Sequence, residues 1–156
     1  MNGALTMSVS ERFFSRTTPR PASSRAMPAI AFRLTIVERW ICGEPLVSKS
    51  VNAAFIGTDL DLRLRRLGVR HVVLFGISTD MCVSTTARVA ANLGYRVTVV
   101  GDACACFELP DGNGGTIDAD AIHRAHLATL RAEFAEVVDT DAVLALSQDV
   151  SATYVD

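Results

Sequence analysis

The chain has 156 residues, of which 49% are hydrophobic, and its formal net charge at pH 7 is -2. This length and composition predict one globular domain with a buried core and exclude a wholly disordered chain. The nearly neutral charge gives no reason to expect a nucleic-acid partner. Because no run reaches the ~18 apolar residues that cross a bilayer, we expect no membrane partner either.

The first 45 residues differ in charge and composition from the rest of the chain. They hold six arginines against three glutamates, whereas acidic residues outnumber basic ones by fourteen to nine from Leu46 onward. Residues 1–28 are rich in Ser, Thr, Arg and Pro without a helical or strand period, which predicts a disordered or non-native tail. A misassigned start and an organellar transit peptide are the alternatives. Residues 29–156 are then expected to form a single domain.

The cysteines and histidines predict neither a metal nor a cofactor. The N-terminus lacks the apolar core of a secretory signal, so we expect a cytoplasmic protein with reduced thiols. Cys104 and Cys106 form a C-x-C pair, but no second pair or nearby histidine completes a zinc site. His123 and His126 lie one helical turn apart without a third ligand at a suitable spacing, and a solvated helix face explains them as well.

The predicted elements follow one another in a regular order. Residues 29–42 (AIAFRLTIVERWIC) fit a strand or a short helix equally. Further strands are predicted at residues 46–48, 71–75, 96–100 and 135–138, and helices at residues 58–67, 80–93, 117–134 and 140–146. Residues 104–115 are expected to form a loop. The continuous apolar run HVVLF at residues 71–75 is typical of a strand that is covered on both faces.

Three of the helices carry specific signals. Thr58 and Asp61 have the spacing of a capping box at the start of the first helix, and Gly68 marks its end. Helical spacing places one set of residues on the core face of the second helix: Val83, Thr86, Ala87, Ala90 and Leu93. The same spacing gives candidate core contacts on the long third helix: Ile122, Ala125, Leu127 and Leu130.

Strands that alternate with helices predict an α/β fold. We expect a Rossmann-like three-layer α/β/α arrangement around a parallel sheet with right-handed crossovers. Four strands make a thin sheet for this architecture, which suggests that its N-terminal part is truncated or replaced. An open sheet edge and missing helices would expose apolar surface, so we expect a homodimer or a larger homo-oligomer.

Lys49 and Cys82 are the residues with the clearest chemical potential. Lys49, the chain's only lysine, closes a predicted strand, and Cys82 begins the helix after the next strand. Ligands of parallel α/β sheets bind beyond the carboxyl ends of the strands, so both side chains should reach one site. A helix N-terminus favours a thiolate over a thiol. The alternatives are a solvated surface ammonium and a small buried thiol.

Other polar residues near strand ends have ordinary structural explanations. Asp80 and Asp102 flank strand ends, where carboxylates usually cap helices or accept hydrogen bonds from loop amides. The GNGG segment at Gly112–Gly115 follows no predicted strand, which indicates a turn and not a dinucleotide-binding loop.

Two motifs in this order and spacing carry a resemblance to a known family. The first motif consists of Lys49, Asn52, Phe55, Gly57, Thr58 and Leu60. The second consists of Gly76, Thr79, Cys82 and Val83. Together they resemble the isochorismatase-like cysteine hydrolases, which include nicotinamidases and N-carbamoylsarcosine amidohydrolases. The resemblance continues through VVGDACACF and covers residues 46–145.

The resemblance implies that the chain hydrolyses the C–N bond of a small amide or carbamoyl substrate. Cys82 would attack the carbonyl carbon to give a thioester, and Lys49 would stabilise negative charge on the sulfur or on the developing oxyanion. The backbone N–H groups of Ser78 and Cys82 would form the oxyanion hole, a contribution of ~3–4 kcal/mol per donor. In this family a cis peptide bond aims these groups, and here it would join Ile77 to Ser78.

The chain departs from the family at the third catalytic residue. The family has an aspartate at the end of its first strand, whereas this chain has no aspartate before Asp59. General acid–base catalysis contributes about 10²–10⁴-fold, so its loss predicts an impaired enzyme. Glu38 would substitute for the aspartate if residues 29–37 replaced the missing strand. Two rival hypotheses are a catalytically silent remnant that serves as an assembly module and a thiol redox protein, although the chain lacks C-x-x-C.

Overall fold

The structure is a computed structural model that describes the backbone of residues 4–9, 30–36 and 46–145 and the side chains of residues 47–145. Its strands are β1 (Ala4–Val9), β2 (Ile30–Ile36), β3 (Leu46–Lys49), β4 (His71–Ile77), β5 (Arg96–Ala105), β6 (Leu109–Pro110), β7 (Thr116–Ile117) and β8 (Glu136–Val138). Its helices are α1 (Leu60–Arg66), a π-helical turn (Thr79–Val83), α2 (Ser84–Asn92) and α3 (Ala119–Glu133). Residues 140–145 are also helical. None of the helices within these ranges is long and apolar enough to cross a membrane.

Six strands form one sheet in the order β3-β2-β1-β4-β5-β8. β1, β4, β5 and β8 pair in parallel, whereas β2 runs antiparallel to both of its neighbours. β3 therefore points in the same direction as β4, and their carboxyl ends lie at the same edge of the sheet. β6 and β7 pair separately as a two-stranded antiparallel ribbon.

The N-terminal strand corrects one expectation. No strand was expected before residue 28, but β1 lies inside the sheet, where Thr6 is paired with Thr35 of β2 and Val73 of β4. Residues 30–36 form a strand, which decides between the two alternatives for that segment. The expectation of a four-stranded sheet was therefore wrong. The sequence of β1 has only a weak strand pattern. The segment is a strand because the backbone of β4 pairs with it, and such tertiary pairing outweighs local propensity. Residues 10–29 and 37–45 lie outside the described ranges, and a domain boundary near residue 28 stays a prediction.

The core confirms an α/β fold in which helices pack against the sheet. The residues of β4 and β5 that face α1, α2 and α3 join one buried cluster with them: Val72, Leu74, Val97, Val99, Leu60, Leu64, Ala87, Ala90 and Leu130. The alternate residues Val73, Thr98 and Val100 point to the other face and are also buried. Both faces of β4 and β5 are thus covered, as the run HVVLF predicted.

Helix α1 begins differently from the prediction and ends as predicted. Asp59 is the N-cap residue but makes no side-chain capping bond, and Asp61 bonds Arg65 and Tyr95 instead of closing a capping box. The Thr58 hydroxyl accepts a hydrogen bond from the N–H of Leu60 at 3.3 Å. The capping box was therefore wrong, because a tertiary contact with Tyr95 recruits the carboxylate. Gly68 ends the helix with φ of +70°, as predicted.

The remaining boundaries shift for local reasons. The helix predicted to start at residue 80 begins as the π-helical turn, and Leu93 falls after the end of α2 with 38% exposure. Ala125 of α3 is exposed, because the helix buries a narrower stripe centred on Ile122 and Leu130. β5 continues through Ala105, so the predicted loop starts later. The loop contains β6, whose partner β7 begins just after residue 115.

Candidate active site

Lys49 and Cys82 meet at the carboxyl edge of the sheet. The ammonium Nζ of Lys49 lies 3.3 Å from Sγ of Cys82, and the two residues are 2% and 1% exposed. Nζ also donates a hydrogen bond to the carbonyl of Val51 at 3.0 Å. β2 and β1 lie between β3 and β4, so these residues come from strands that are not neighbours in the sheet. The structure thus brings the two predicted residues together, while their chemical roles stay predictions.

The turn that carries Cys82 has an unusual backbone. The Ile77–Ser78 peptide bond at the end of β4 is cis, as the resemblance implied. The N–H of Val83 then donates to the carbonyl of Ser78 at 3.1 Å, which is the i to i−5 bond of a π-helical turn. π-Helical turns frequently occur at functional sites. The backbone N–H groups of Ser78 and Cys82 both belong to this stretch, which is where the oxyanion hole was predicted.

The segment after Lys49, residues 50–59, lies against the helix that follows Cys82. Sγ of Cys82 lies 3.8 Å from Oδ1 of Asn52. The hydroxyl of Thr86 donates to the carbonyl of Asn52 at 3.4 Å and accepts from the N–H of Ala54 at 3.1 Å. Because Ala54 and Thr86 are both fully buried, water has no access to compete for these bonds.

A second set of side-chain hydrogen bonds surrounds the turn that carries Cys82. The carboxylate of Asp80 accepts hydrogen bonds from the hydroxyl of Ser78 and from the thiol of Cys106, the latter at 3.4 Å. The hydroxyl of the fully buried Thr79 is hydrogen-bonded to Nδ1 of His123 in α3 at 2.9 Å. These contacts connect the turn to the residue that follows β5 and to α3. Asp80 thus serves side-chain donors and not the loop amides that were expected.

The other described cysteines have environments that disfavour a thiolate. Burial raises the pKa of the Cys104 thiol to about 11. Burial also raises the pKa of Cys106, and the neighbouring Asp80 carboxylate acts in the same direction. Cys82, Cys104 and Cys106 are all free thiols. Among them, Cys82 is the one with an ammonium group beside its sulfur.

The remaining candidates have structural roles. Asp102 accepts from the N–H of Thr140 at 2.8 Å and so caps residues 140–145. The carboxylate of Asp111 accepts from the backbone N–H groups of Asn113 and Gly115, which closes the predicted turn and lowers the pKa of Asp111. Residues 46–145 contain no group of three or more side chains suited to a metal ion, His123 and His126 included.

The resemblance implies an aspartate at the end of the first strand, and β1 is the first strand that the structure describes. That strand reads ALTMSV and contains no acid, and its last residue, Val9, pairs with Gly76 just before the cis peptide bond. Glu38, the predicted substitute, lies outside the described residues. Thr86 was expected on the core face of the helix, with no partner assigned to its hydroxyl. Its spacing of four residues from Cys82 was the available signal, because a buried hydroxyl needs hydrogen-bond partners.

Comparisons with known proteins agree with this geometry. An isochorismatase domain model matches residues 10–142. The isochorismatase family protein YrdC of Bacillus subtilis (strain 168) is 35% identical over 132 residues, which make up 85% of this chain and 71% of YrdC. Nicotinamidase 3 of Arabidopsis thaliana is 35% identical over 98 residues, which make up 63% of this chain and 44% of that protein.

A solved structure supports the same relationship. A crystal structure of an isochorismatase-family protein from Chromobacterium violaceum ATCC 12472 has a TM-score of 0.66 and 37% sequence identity to this chain. The similarity covers 70% of this chain and 56% of that one. The chain therefore spans about half the length of this relative and of the nicotinamidase.

Proposed function

The chain belongs to the isochorismatase family, and we propose that it is a cysteine hydrolase for the C–N bond of a small amide or carbamoyl compound. The observation that carries this proposal is the 3.3 Å contact between Lys49 Nζ and Cys82 Sγ. A buried ammonium is costly unless an anion or strong acceptors lie beside it. A thiolate on Cys82 would supply that anion. The carboxylates that form ion pairs within residues 47–145, Asp59 and Asp61, pair with Arg63 and Arg65 and not with Lys49.

The reaction would proceed in two steps. The Cys82 thiolate attacks the substrate carbonyl carbon, so an S–C bond forms and the carbonyl oxygen becomes an oxyanion held by the N–H groups of Ser78 and Cys82. The C–N bond then breaks, and the amine leaves with a proton from a water molecule, which becomes hydroxide. Water adds to the thioester carbonyl in the second step, the S–C bond breaks, and the Cys82 thiolate is restored with release of the acid.

Both steps need proton transfer, and β1 offers no acid for it. An unactivated amide requires a proton for its leaving amine, and hydrolysis of the thioester requires a base for water. The strand that would carry the family's aspartate reads ALTMSV. We therefore expect the first step to proceed with activated substrates and the second to be slow.

The substrate class, the location and the assembly are further parts of the proposal. The name of the Arabidopsis relative, nicotinamidase, supports an amide as substrate. We propose a cytoplasmic enzyme that needs neither a metal nor a cofactor. Exposed apolar residues such as Met81 and Ile117 support a homodimer or larger homo-oligomer, which light scattering during size-exclusion chromatography would detect. A monomer at tens of micromolar would contradict that assembly.

Burst kinetics with p-nitrophenyl acetate test the catalytic proposal. This ester has a leaving group that needs no protonation, so we expect release of one equivalent of p-nitrophenol followed by little turnover. Cys82→Ala should abolish the burst, Lys49→Ala should slow it, and Cys104→Ala should leave it intact as the matched thiol control. Rapid multiple turnover of nicotinamide or another simple amide would show that an acid or base, with Glu38 first to examine, completes the site.

The absence of an acid on β1 also favours a second candidate, a catalytically silent remnant that serves as an assembly module. This function predicts no burst with p-nitrophenyl acetate and a stable oligomer that Cys82→Ala does not alter. A burst that depends on Cys82 would exclude it.

A further inference from the structure

We infer that Thr86 is a positioning residue that holds the Lys49 ammonium against the Cys82 sulfur by tying residues 50–59 to α2. This inference rests on the proposed function, since it concerns how the reactive pair is maintained. Thr86 is fully buried, although its side chain is polar. Its single hydroxyl accepts from the N–H of Ala54 at 3.1 Å and donates to the carbonyl of Asn52 at 3.4 Å. These two hydrogen bonds are called the tie below.

The residues joined by the tie lie close in sequence to Lys49 and Cys82. Asn52 and Ala54 follow Lys49 by three and five residues, and Thr86 follows Cys82 by four. The Lys49 ammonium also donates to the carbonyl of Val51 inside the tied segment. A displacement of the segment would therefore move the acceptor that orients the ammonium.

The contact between ammonium and sulfur is sensitive to such a displacement. A charge-assisted hydrogen bond requires a short distance and good alignment, and the Lys49–Cys82 contact is 3.3 Å long. An increase of about 1–2 Å would lose the hydrogen bond and admit water between the charges. The thiolate would then be less stabilised, and Cys82 would react more slowly at neutral pH.

The hydroxyl, and not the bulk of Thr86, provides the tie. Valine would fill nearly the same volume but would leave the buried N–H of Ala54 without its acceptor, which is unfavourable in a site closed to water. The segment would move until that N–H met water or another acceptor. Serine keeps the hydroxyl and should keep the tie.

The pH dependence of Cys82 alkylation tests this inference. Rate constants for iodoacetamide at Cys82 would be measured by peptide mass spectrometry from pH 5 to 10 for the wild type, Thr86→Val and Thr86→Ser. We expect Thr86→Val to raise the midpoint of the rate profile by about one pH unit, a scale typical of a weakened opposite charge. Thr86→Ser should restore the wild-type profile.

Thr98→Val is the matched control. Thr98 is also buried, and its hydroxyl is hydrogen-bonded at 2.8 Å to His71 on the other face of the sheet. Its replacement should lower the melting temperature as Thr86→Val does without moving the alkylation midpoint. An unchanged midpoint in Thr86→Val, or an equal shift in Thr98→Val, would overturn the positioning role.

Hydrogen exchange of the wild-type chain gives a test that holds even if Thr86→Val does not fold. The N–H of Ala54 should exchange as slowly as the amides of α2, because opening the tie requires the segment to separate from the helix. Exchange at the rate of a free loop amide would refute the tie. If Cys82 of the folded wild type were alkylated no faster than in guanidinium, both the proposed function and this inference would be overturned. If Cys82 were alkylated faster in the folded protein but its rate did not change in Thr86→Val, the inference alone would be overturned.

Discussion

At the scale of single residues, the three described cysteines differ in what surrounds each sulfur. Cys82 has the Lys49 ammonium at 3.3 Å, whereas burial raises the pKa of Cys104 to about 11. The thiolate is the reactive form of cysteine. At pH 7 a thiol of this pKa is ionised in only about one molecule in ten thousand. Differences in charge environment therefore predict differences in reactivity.

Cys82 should be the most reactive of these three thiols in the folded protein. We expect iodoacetamide near pH 7 to modify Cys82 well before Cys104 and Cys106, as read by peptide mass spectrometry. The small reagent is needed because Cys82 is only 1% exposed. In guanidinium the preference should vanish, which provides the control. Equal labelling of Cys82 and Cys104 in the folded protein would contradict the assignment of Cys82 as nucleophile.

His71 provides a prediction about pH and stability. Nδ1 of His71 accepts a hydrogen bond from the Arg96 guanidinium at 3.0 Å, and because a guanidinium can only donate, the neutral ring carries its proton on Nε2. That nitrogen lies 2.8 Å from the hydroxyl of Thr98. Burial, and then the charge of Arg96, lowers the pKa of His71 below its ordinary value of 6.5.

The sign of the resulting pH effect follows from proton binding in the two states. As the pH falls below about 6.5, the unfolded chain binds a proton at this ring before the folded chain does, so the stability contributed by His71 is lost on acidification. We expect His71→Gln to show a smaller fall in urea midpoint between pH 7.5 and 5.5 than the wild type. An equal fall in both proteins would show that His71 does not contribute to this dependence.

At the scale of elements, the end of α1 depends on one backbone conformation. Gly68 has φ of +70°, and the N–H of Val69 donates to the carbonyl of Leu64 at 3.0 Å across it. A Cβ at Gly68 would meet no atom within 4 Å, so a substitution there changes backbone strain without a steric clash. The conformation itself is costly for residues with a side chain.

Gly68→Ala should therefore destabilise the protein by about 1–2 kcal/mol. Gly68→Asn should cost less, because asparagine tolerates this region better than alanine. Urea unfolding of the three proteins under the same conditions measures both differences. A Gly68→Ala variant as stable as the wild type would indicate that α1 can end without the left-handed residue.

At the scale of the whole molecule, β1 joins the two halves of the sheet. It lies between the antiparallel pair β2–β3 and the parallel strands β4, β5 and β8. β3 ends in Lys49, whereas β4 leads into the turn with Cys82. The approach of Lys49 to Cys82 therefore depends on a strand that carries neither of them.

Deletion of residues 1–9 should disrupt the fold and separate the reactive pair. The deletion removes every backbone bond between β1 and its two neighbours and leaves two interior edges unpaired, which also favours aggregation. We expect loss of the cooperative urea transition and of the preferential labelling of Cys82. A shortened chain with an unchanged urea midpoint would contradict this role of β1.

The sequence by itself determined the α/β class, most of the elements from β3 to β8 and the expectation that Lys49 and Cys82 share one site. Buried strands such as HVVLF have apolar runs that local patterns reveal, and Gly68 marks a helix end through its own backbone freedom. The resemblance to the family predicted the cis bond between Ile77 and Ser78. All of these features are encoded within short stretches of chain.

Only the tertiary structure decided the features that depend on distant partners. β1 is a strand because β2 and β4 pair with it. The Asp61 carboxylate does not form the predicted capping box because it accepts a hydrogen bond from the Tyr95 hydroxyl. The ties of Thr86 to Asn52 and Ala54 join residues more than thirty positions apart. Backbone edges and hydroxyl groups bond whatever partner the fold brings near them, so the composition and spacing of a segment cannot specify which partner that will be.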